Sequence, residues 1–563
     1  MAALELVLAL LAAATALRFF ADRWRVPYPS ALVVGGALLA LTPGLPTVEL
    51  APETLFLVFV PPLLYWGALT YPLRDVRNQA GPIARLAVLL VLVSAAAVAA
   101  AIHAMDAAFT WASAFALGAI VAPPDPVAVL AMLRSLRLPT AVQNLLEGEG
   151  LFNDVTALVA YRIAVAAAVS GAFAFAPATM TFLFTSTAGV AIGLGVGFVV
   201  LQVHRVASEA TAVELTISLL TPFASYLAAE RVGASGVLAV VATGLYVARV
   251  FPRVVRPQTR VQSVAMWNVV TFLLEGLLFI LVGLELKDVS RSLRGAPFLT
   301  ILGEAIVVTL VVVVTRLVWM PISAYWLRAI GRAFVKKRVA APAARSVAFV
   351  AWAGLRGGDS LVIALALPLR TAAGAAFPGR ERIIFITFVV IFASLVLQGP
   401  TLPWIARLLR LRRGRSEVAE EAHARLAAAE AGLNALQSVS AGDDAAVRPE
   451  VSRYLRRRHL QRARRWASRE NSESQSEAPW LRHEHVVGAT SGVDRLVDDE
   501  RAREYRRLRR VMIEAELRAV LDLRDDGSID DEVMRRIQRD LDFESMLLDA
   551  AEPVGETGDT FAE

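Results

Sequence analysis

Apolar residues fill the first 411 positions in blocks of about 20, the length that crosses a hydrocarbon core as a helix. The blocks cover 3–18, 30–46, 53–72, 83–103, 109–133, 141–169, 179–203, 211–230, 234–250, 263–286, 299–327, 343–368 and 382–409. They predict an all-α, polytopic membrane domain of about 13 transmembrane helices over 1–411. Two splits, at Arg231–Ala234 and near Gly295, change that count by one. The first block lacks a basic start, carries Glu5 and is followed by Arg18, so it reads as an uncleaved helix rather than a signal peptide.

Beyond Leu411 the pattern becomes charge-dense and helical in spacing, which predicts a cytoplasmic helical regulatory tail over 412–563. Ser416–Ser438 is rich in Ala, Glu and Leu. Ser468–Pro479 is rich in Ser and Glu and reads as a linker. Asp498–Leu523 and Ile529–Ala550 read as amphipathic helices about the turn Asp525-Asp526-Gly527-Ser528. That turn faintly resembles a calcium loop, but the position needing a bidentate Glu is Val533, so helix–turn–helix is the reading.

Composition sharpens this division. Of 563 residues 56% are hydrophobic and 19% charged, against about 45–50% and about 25% in soluble proteins. One core cannot absorb such an excess, which argues against a water-soluble enzyme. The net charge of +6 is the sum of two unlike parts. Through Leu411 there are 31 Lys and Arg against 19 Asp and Glu; beyond it there are 26 against 32. The absence of cysteine excludes disulfides, thiol catalysis and cysteine metal sites. No glycine-rich nucleotide fingerprint follows a strand in the tail.

Positive charge collects on alternate connections: Arg18, Arg23 and Arg25; Arg74, Arg77 and Arg85; Arg134 and Arg137; His204 and Arg205; Arg249–Arg260; and Arg328–Arg345. The other connections are poor in charge, apart from Lys287–Arg294 and Arg370–Arg382. By the positive-inside rule the N-terminus is outside and the tail cytoplasmic.

A charge at mid-bilayer costs at least about 2.5–3.5 kcal/mol, so ionisable residues inside the blocks are the informative ones. In the fifth span, Ala122-Pro123-Pro124-Asp125-Pro126-Val127 removes three backbone donors and sets a carboxylate beside freed carbonyls. Asp125 there either caps a half-helix, helps bind an ion, or both. In the sixth span, Glu147-Gly148-Glu149-Gly150-Leu151-Phe152-Asn153-Asp154 places Gly150, Asn153, Asp154 and Ala157 on one stripe. An isolated Asp154 there is neutral unless a cation accompanies it, so cation and proton compete for one group. The plainer alternative is a protonated Asp154 that packs helices.

In the twelfth span, Gly354-Leu355-Arg356-Gly357-Gly358-Asp359-Ser360 marks a second interruption. Arg356 needs an anionic partner; Glu149 or Glu147 is the distant candidate and Asp359 the local one. In the tenth span, Asn268 and Glu275 share a face, and Glu275 is a support residue, an accessory proton site, or the partner of an Arg such as Arg162. His103 and His204 lie near span ends and read as exposed. The interrupted spans are fifth and twelfth of thirteen. If helices one to six and eight to thirteen are repeats, the seventh reverses the second, giving inverted repeats with a midplane site at the two breaks.

Pro124-Asp125-Pro126-Val127-Ala128, Glu147–Asp154 and Gly354-Leu355-Arg356-Gly357, with Phe59–Leu64 and Phe279–Leu284, resemble the sodium/proton exchanger branch of the monovalent cation:proton antiporters over about residues 1–411. The resemblance implies thirteen helices, a homodimer and a mobile core holding the crossed broken helices. It implies that Asp154 of the Asn153-Asp154 pair takes cation and proton in turn. Asp125 assists directly or through water, and Arg356 pairs with Glu149. Pro124 stands where Thr is usual, Gly150 where Ser is usual, and Asp359 where an apolar residue is usual; Asp359 thus adds a titratable group.

The expected function is secondary active antiport of a monovalent cation, Na⁺ first, against H⁺, serving pH and sodium homeostasis. Only the loaded forms of Asp154 cross without a naked charge. Asn153 being neutral, one carboxylate exchanges one cation for one proton, electroneutrally. Asp154 and Asp125 hold the cation; Glu147, Glu275 and Asp359 are accessory. No cofactor and no nucleic-acid partner are expected; the tail's Arg456–Arg465 cluster fits anionic lipid better. The setting is the plasma membrane, as a bacterial inner-membrane protein. The alternatives are K⁺/H⁺ exchange on the same scaffold, an ion channel, an organic-solute carrier, and a membrane-anchored signalling protein.

Overall fold

The computed structural model describes residues 2–24, 26–42, 52–72, 79–133, 138–171, 175–207, 210–287, 298–326, 342–411, 415–441, 447–470 and 499–550. Most of the Arg and Lys that carried the topology argument in the loops, and most of the Ser468–Pro479 linker, lie outside them. The described residues are almost wholly helical, apart from one isolated bridge between Arg370 and Ala376. Only a helix pairs every backbone N–H and C=O within a single apolar segment, which is why runs of this composition take no other form in lipid.

Chain contacts divide the protein into two units, Met1–Val254 with Ala265–Arg412, and Val255–Val264 with Arg413–Glu563. The first unit begins with α1 (Ala2–Trp24), α2 (Tyr28–Ala40), α3 (Pro52–Thr70) and α4 (Ala80–Met105). Next come the interrupted pair α5 (Trp111–Val121) and α6 (Pro126–Leu133), then α7 (Thr140–Ser170), α8 (Phe175–Val206), α9 (Thr211–Glu230) and α10 (Gly236–Val254). The helix α11 (Pro257–Leu284) runs on from there, followed by α12 (Phe298–Tyr325), a second interrupted pair α13 (Ala344–Trp352) and α14 (Asp359–Leu365), and α15 (Arg380–Leu408).

Nine of these elements are long and apolar enough to cross a membrane, counting α5 with α6, and three shorter apolar helices lie in α1, α2 and α3. The short helices α13 and α14 cover the remaining predicted block, so each predicted span has a helical counterpart among the described residues. One buried core of Leu, Ile, Val, Phe and Ala runs through the unit, with Leu117, Ile120, Phe279, Ile301, Leu355 and Ile386 among its most enclosed members.

Two sequence expectations change here. His204 is buried rather than exposed, with Nδ1 3.7 Å from Oε1 of buried Glu214 and its ring against Phe251. His103 is half-buried, its Nδ1 2.7 Å from the carbonyl of Phe109 and its ring on Trp111. Neighbouring polar and aromatic groups make burial tolerable for both.

The second unit contains α16 (Arg415–Ala441), α17 (Pro449–Glu470), α18 (Asp499–Asp525) and α19 (Asp531–Ala550). Its apolar core joins Ala424 and Ala428 of α16 to Val520 and Leu521 of α18 and to Val533, Ile537 and Leu541 of α19. Gly527, at φ +76°, ends α18 in a left-handed turn closed by Ser528 N donating to Leu523 O, so the segment is a helix–turn–helix. The Arg-rich α17 was not predicted; it buries only Val451, Leu455, His459, Leu460 and Ala463, too few apolar positions to stand out in sequence.

The tail's interior is also ionic. Arg509 is buried and holds Glu544 at 2.7 and 2.8 Å and, more closely, Glu516, which Arg462 also reaches. Buried His459 lies 3.8 Å from Glu516, with Nε2 3.1 Å from the Ala429 carbonyl. Burial lowers the His459 pKa to about 4, against the opposing charge of Glu516.

Candidate cation and proton site

The prolines at 123, 124 and 126 remove the amides that would carry α5 onward, so the helix stops at Val121 and restarts at Pro126. The second break, Ala353–Gly358, separates α13 from α14. The two breaks meet: the Asp125 amide donates to the Leu355 carbonyl at 2.7 Å. Other freed groups in the second break are taken up by α15, which opens into a wide turn at Ala393–Gln398. The Arg356 amide donates to Ser394 Oγ at 2.9 Å, Gln398 Nε2 donates to the Trp352 carbonyl at 2.6 Å, and Trp352 Nε1 donates to Thr401 Oγ1 at 2.8 Å.

The continuous helix α7 lies against this crossing. Asn153 is fully buried and its Nδ2 donates to the Pro124 carbonyl at 2.8 Å, while its Oδ1 has no hydrogen-bond partner. Gly150 is where the first turn of α6 presses on α7. A Cβ at 150 would lie 2.0 Å from Pro126 Cγ, so the missing hydroxyl at this position reflects packing.

Glu149 is buried, and its partner differs from the one expected. Arg316 of α12, 2% exposed, grips it through both guanidinium nitrogens, with Nη2 to Oε2 at 2.7 Å and Nη1 closer to Oε1. Arg316 Nε also donates to the Val350 carbonyl at 3.2 Å. Gly354 makes room for this arginine: a Cβ there would lie 2.3 Å from Arg316 Cδ. Arg356, the expected partner, instead donates from Nη1 to its own Gly354 carbonyl at 3.0 Å and has its Nε buried without a partner. It remains within electrostatic reach of Glu149 and Asp359. The signal that could have found Arg316 was a single basic residue inside the apolar run 299–327.

Three carboxylates, Asp125, Asp154 and Asp359, remain partly solvent-accessible while most of their neighbours are buried. Their surroundings differ. Asp125 Oδ1 accepts from the amides of Val127 at 2.8 Å and Ala128 at 3.3 Å, which caps α6. Asp359 is the first residue of α14 and has Arg356 within reach. Asp154 has no hydrogen-bonding or cationic partner among the described residues; the charges that act on it are Asp359 and Asp125.

The accessory acids lie in different places. Glu275 is buried and accepts from the Tyr28 hydroxyl, with the Arg18 guanidinium 4.6 Å above the Tyr28 ring. Arg162, suggested as its partner, pairs with Glu230 at 2.9 Å. Glu147 is half-buried on α7.

A crossing of two broken helices beside an Asn-Asp pair is the arrangement the sequence pattern anticipated, and comparison with known proteins decides the family. The pattern described as "Sodium/hydrogen exchanger, transmembrane" matches residues 6–408. The chain belongs to the sodium/hydrogen exchanger family. This exchanger is 33% identical over 558 residues to an uncharacterised Na⁺/H⁺ exchanger of Mycobacterium tuberculosis, covering 98% of the chain and 97% of that relative. It is also 33% identical over 392 residues to a "Sodium, potassium, lithium and rubidium/H(+) antiporter" of Bacillus pumilus, covering 68% of the chain and 58% of the relative. Its fold is similar to that of the sodium proton antiporter MjNhaP1 from Methanocaldococcus jannaschii, with TM-score 0.54 and 16% identity over 72% of the chain and 98% of that protein.

The exchanger is thus a secondary transporter, a monovalent cation/proton antiporter and a multi-pass membrane protein. Among the described residues, the candidate site offers oxygen donors, a composition suited to hard cations and protons.

Proposed function

We propose that this chain exchanges Na⁺ for H⁺ one for one by alternating access, with Asp154 carrying the two ions in turn. The observation that carries the reading is the solitary state of Asp154. Asp125 is engaged by helix-end amides and Glu149 by Arg316, whereas Asp154 is left for an exchangeable ion. A carboxylate with Na⁺ and the same carboxylate with H⁺ both add no net charge. The empty anion is the form that desolvation keeps from crossing. Asn153 is neutral, so this pair supplies one exchangeable charge, which makes the cycle electroneutral. Asp125 completes the cation's oxygen shell directly or through water.

The same reading places the protein in the plasma membrane as a homodimer, with the N-terminus outside and the tail cytoplasmic, serving pH and sodium homeostasis. The deciding experiment is reconstitution of the purified chain in liposomes with a pH-sensitive dye. Na⁺ should collapse a preset pH gradient in wild type and not in Asp154→Asn, with no dependence on membrane voltage. Full activity in that variant rejects the assignment. K⁺ is the second candidate, favoured by the four cations named for the Bacillus relative; substituting K⁺, Li⁺ and Rb⁺ in the same assay ranks them.

A further inference from the structure

We propose that Asp359 is a third carboxylate of the cation site and sets the affinity and choice of cation, an inference that rests on the Asp154 reading above. The two broken helices aim acids at one point. A Cβ on Gly357 would lie 2.4 Å from Asp125 Oδ2 and 2.6 Å from Asp359 Oδ1, so only a glycine lets both carboxylates converge there. Like the other two acids, Asp359 stays partly accessible inside an otherwise buried shell.

Two buried oxygens without partners adjoin these acids in the chain: Asn153 Oδ1 next to Asp154, and Ser360 Oγ next to Asp359. Each residue is at most 1% exposed. Unpaired polar atoms at such depth are rare, and a cation or water held beside these acids would satisfy them. Among the described residues no three acids stand close enough to grip one ion together. Asp359 therefore works on the cation by its field or through an intervening water. Such an acid in a low-dielectric site adds attraction for any monovalent cation and changes the balance between cations of different hydration.

Hydrogen bonding at the start of α14, where Asp359 is the first helical residue, is its competing role, and Asp359→Asn separates the two, because Asn can accept the same hydrogen bonds but lacks the charge. The test uses the full chain in proteoliposomes with Na⁺, Li⁺ and K⁺ titrated separately, alongside cation-dependent thermal shift of the same proteins in detergent. Asp359→Asn is expected to raise the half-saturating cation concentration about tenfold, a larger effect than on the maximal rate, and to alter the Na⁺ to K⁺ ratio. Asp359→Glu should restore most of the affinity. Wild-type half-saturation for all three cations in Asp359→Asn overturns the proposal, as does a loss of maximal rate alone. A wild type that binds cation without exchanging it rejects the transport reading, while the thermal-shift titration of Asp359→Asn still decides this one. A wild type that neither binds nor exchanges overturns both.

Discussion

Arg316 holds Glu149 in a two-point ion pair, both residues almost wholly buried, and so joins α12 to α7 one turn before the Asn153-Asp154 pair. Removing one member strands the other's charge in an apolar surround, at a cost of about 3–5 kcal/mol. Arg316→Ala should therefore lower the melting temperature in detergent and reduce the yield of folded protein. Replacing both residues by apolar ones should recover part of that loss. Equal melting of Arg316→Ala and wild type contradicts the pairing.

Gly354 and Gly357 stand on either side of Leu355-Arg356 and make room for different groups. Gly354→Ala pushes on Arg316, so its defect should appear mainly as lost stability. Gly357→Ala pushes on Asp125 and Asp359, so its defect should appear mainly as a raised half-saturating cation concentration in the liposome assay. Identical profiles for the two variants count against this division.

Gly150→Ser would add a hydroxyl of the kind usual in the family, but its Cβ meets the Pro126 ring. The expected outcome is a less stable and slower exchanger, not one with improved cation affinity. Measuring half-saturation and melting temperature together checks this.

The tail carries a pH dependence of its own. His459 has its pKa lowered to about 4 from an ordinary value of 6.5, chiefly by burial, with Arg462 and Arg509 adding to that and Glu516 opposing it. The unfolded tail therefore binds the extra proton first. Its stability is complete above about 6.5 and falls as the pH drops through about 4. Glu544 behaves differently: burial pushes it up, but its hydrogen bonds to Arg509 and the charges of Arg509, Arg462 and Arg458 bring it down to about 2. Its contribution is lost later, between its ordinary 4.5 and about 2. Hydrogen exchange of the full-length protein from pH 7 to 4 should show α16–α19 loosening, and His459→Gln should flatten the first part of that change.

Helices and breaks were legible because lipid enforces them: an apolar run must be helical, and Pro123-Pro124-Asp125-Pro126 cannot remain one. Asp125, Asp154 and Arg356 stood out for the same reason, as charges where the solvent is hydrocarbon. Which charge faces which was not legible. Glu149 meets Arg316 across 167 residues, and Glu275 meets Tyr28 across 247; such pairings are set by helix packing rather than local spacing. The packing that favours glycine at 150 was hidden for the same reason, since the Pro126 ring against it lies on another helix.

The bond from the Asp125 amide to the Leu355 carbonyl is made by main chain on both sides, so no substitution short of proline at 125 deletes it directly. With Asn153 tied to the Pro124 carbonyl, it pins three segments at one knot. Shifting any one of these segments without the others would break a main-chain bond or leave buried Asn153 without its one hydrogen bond.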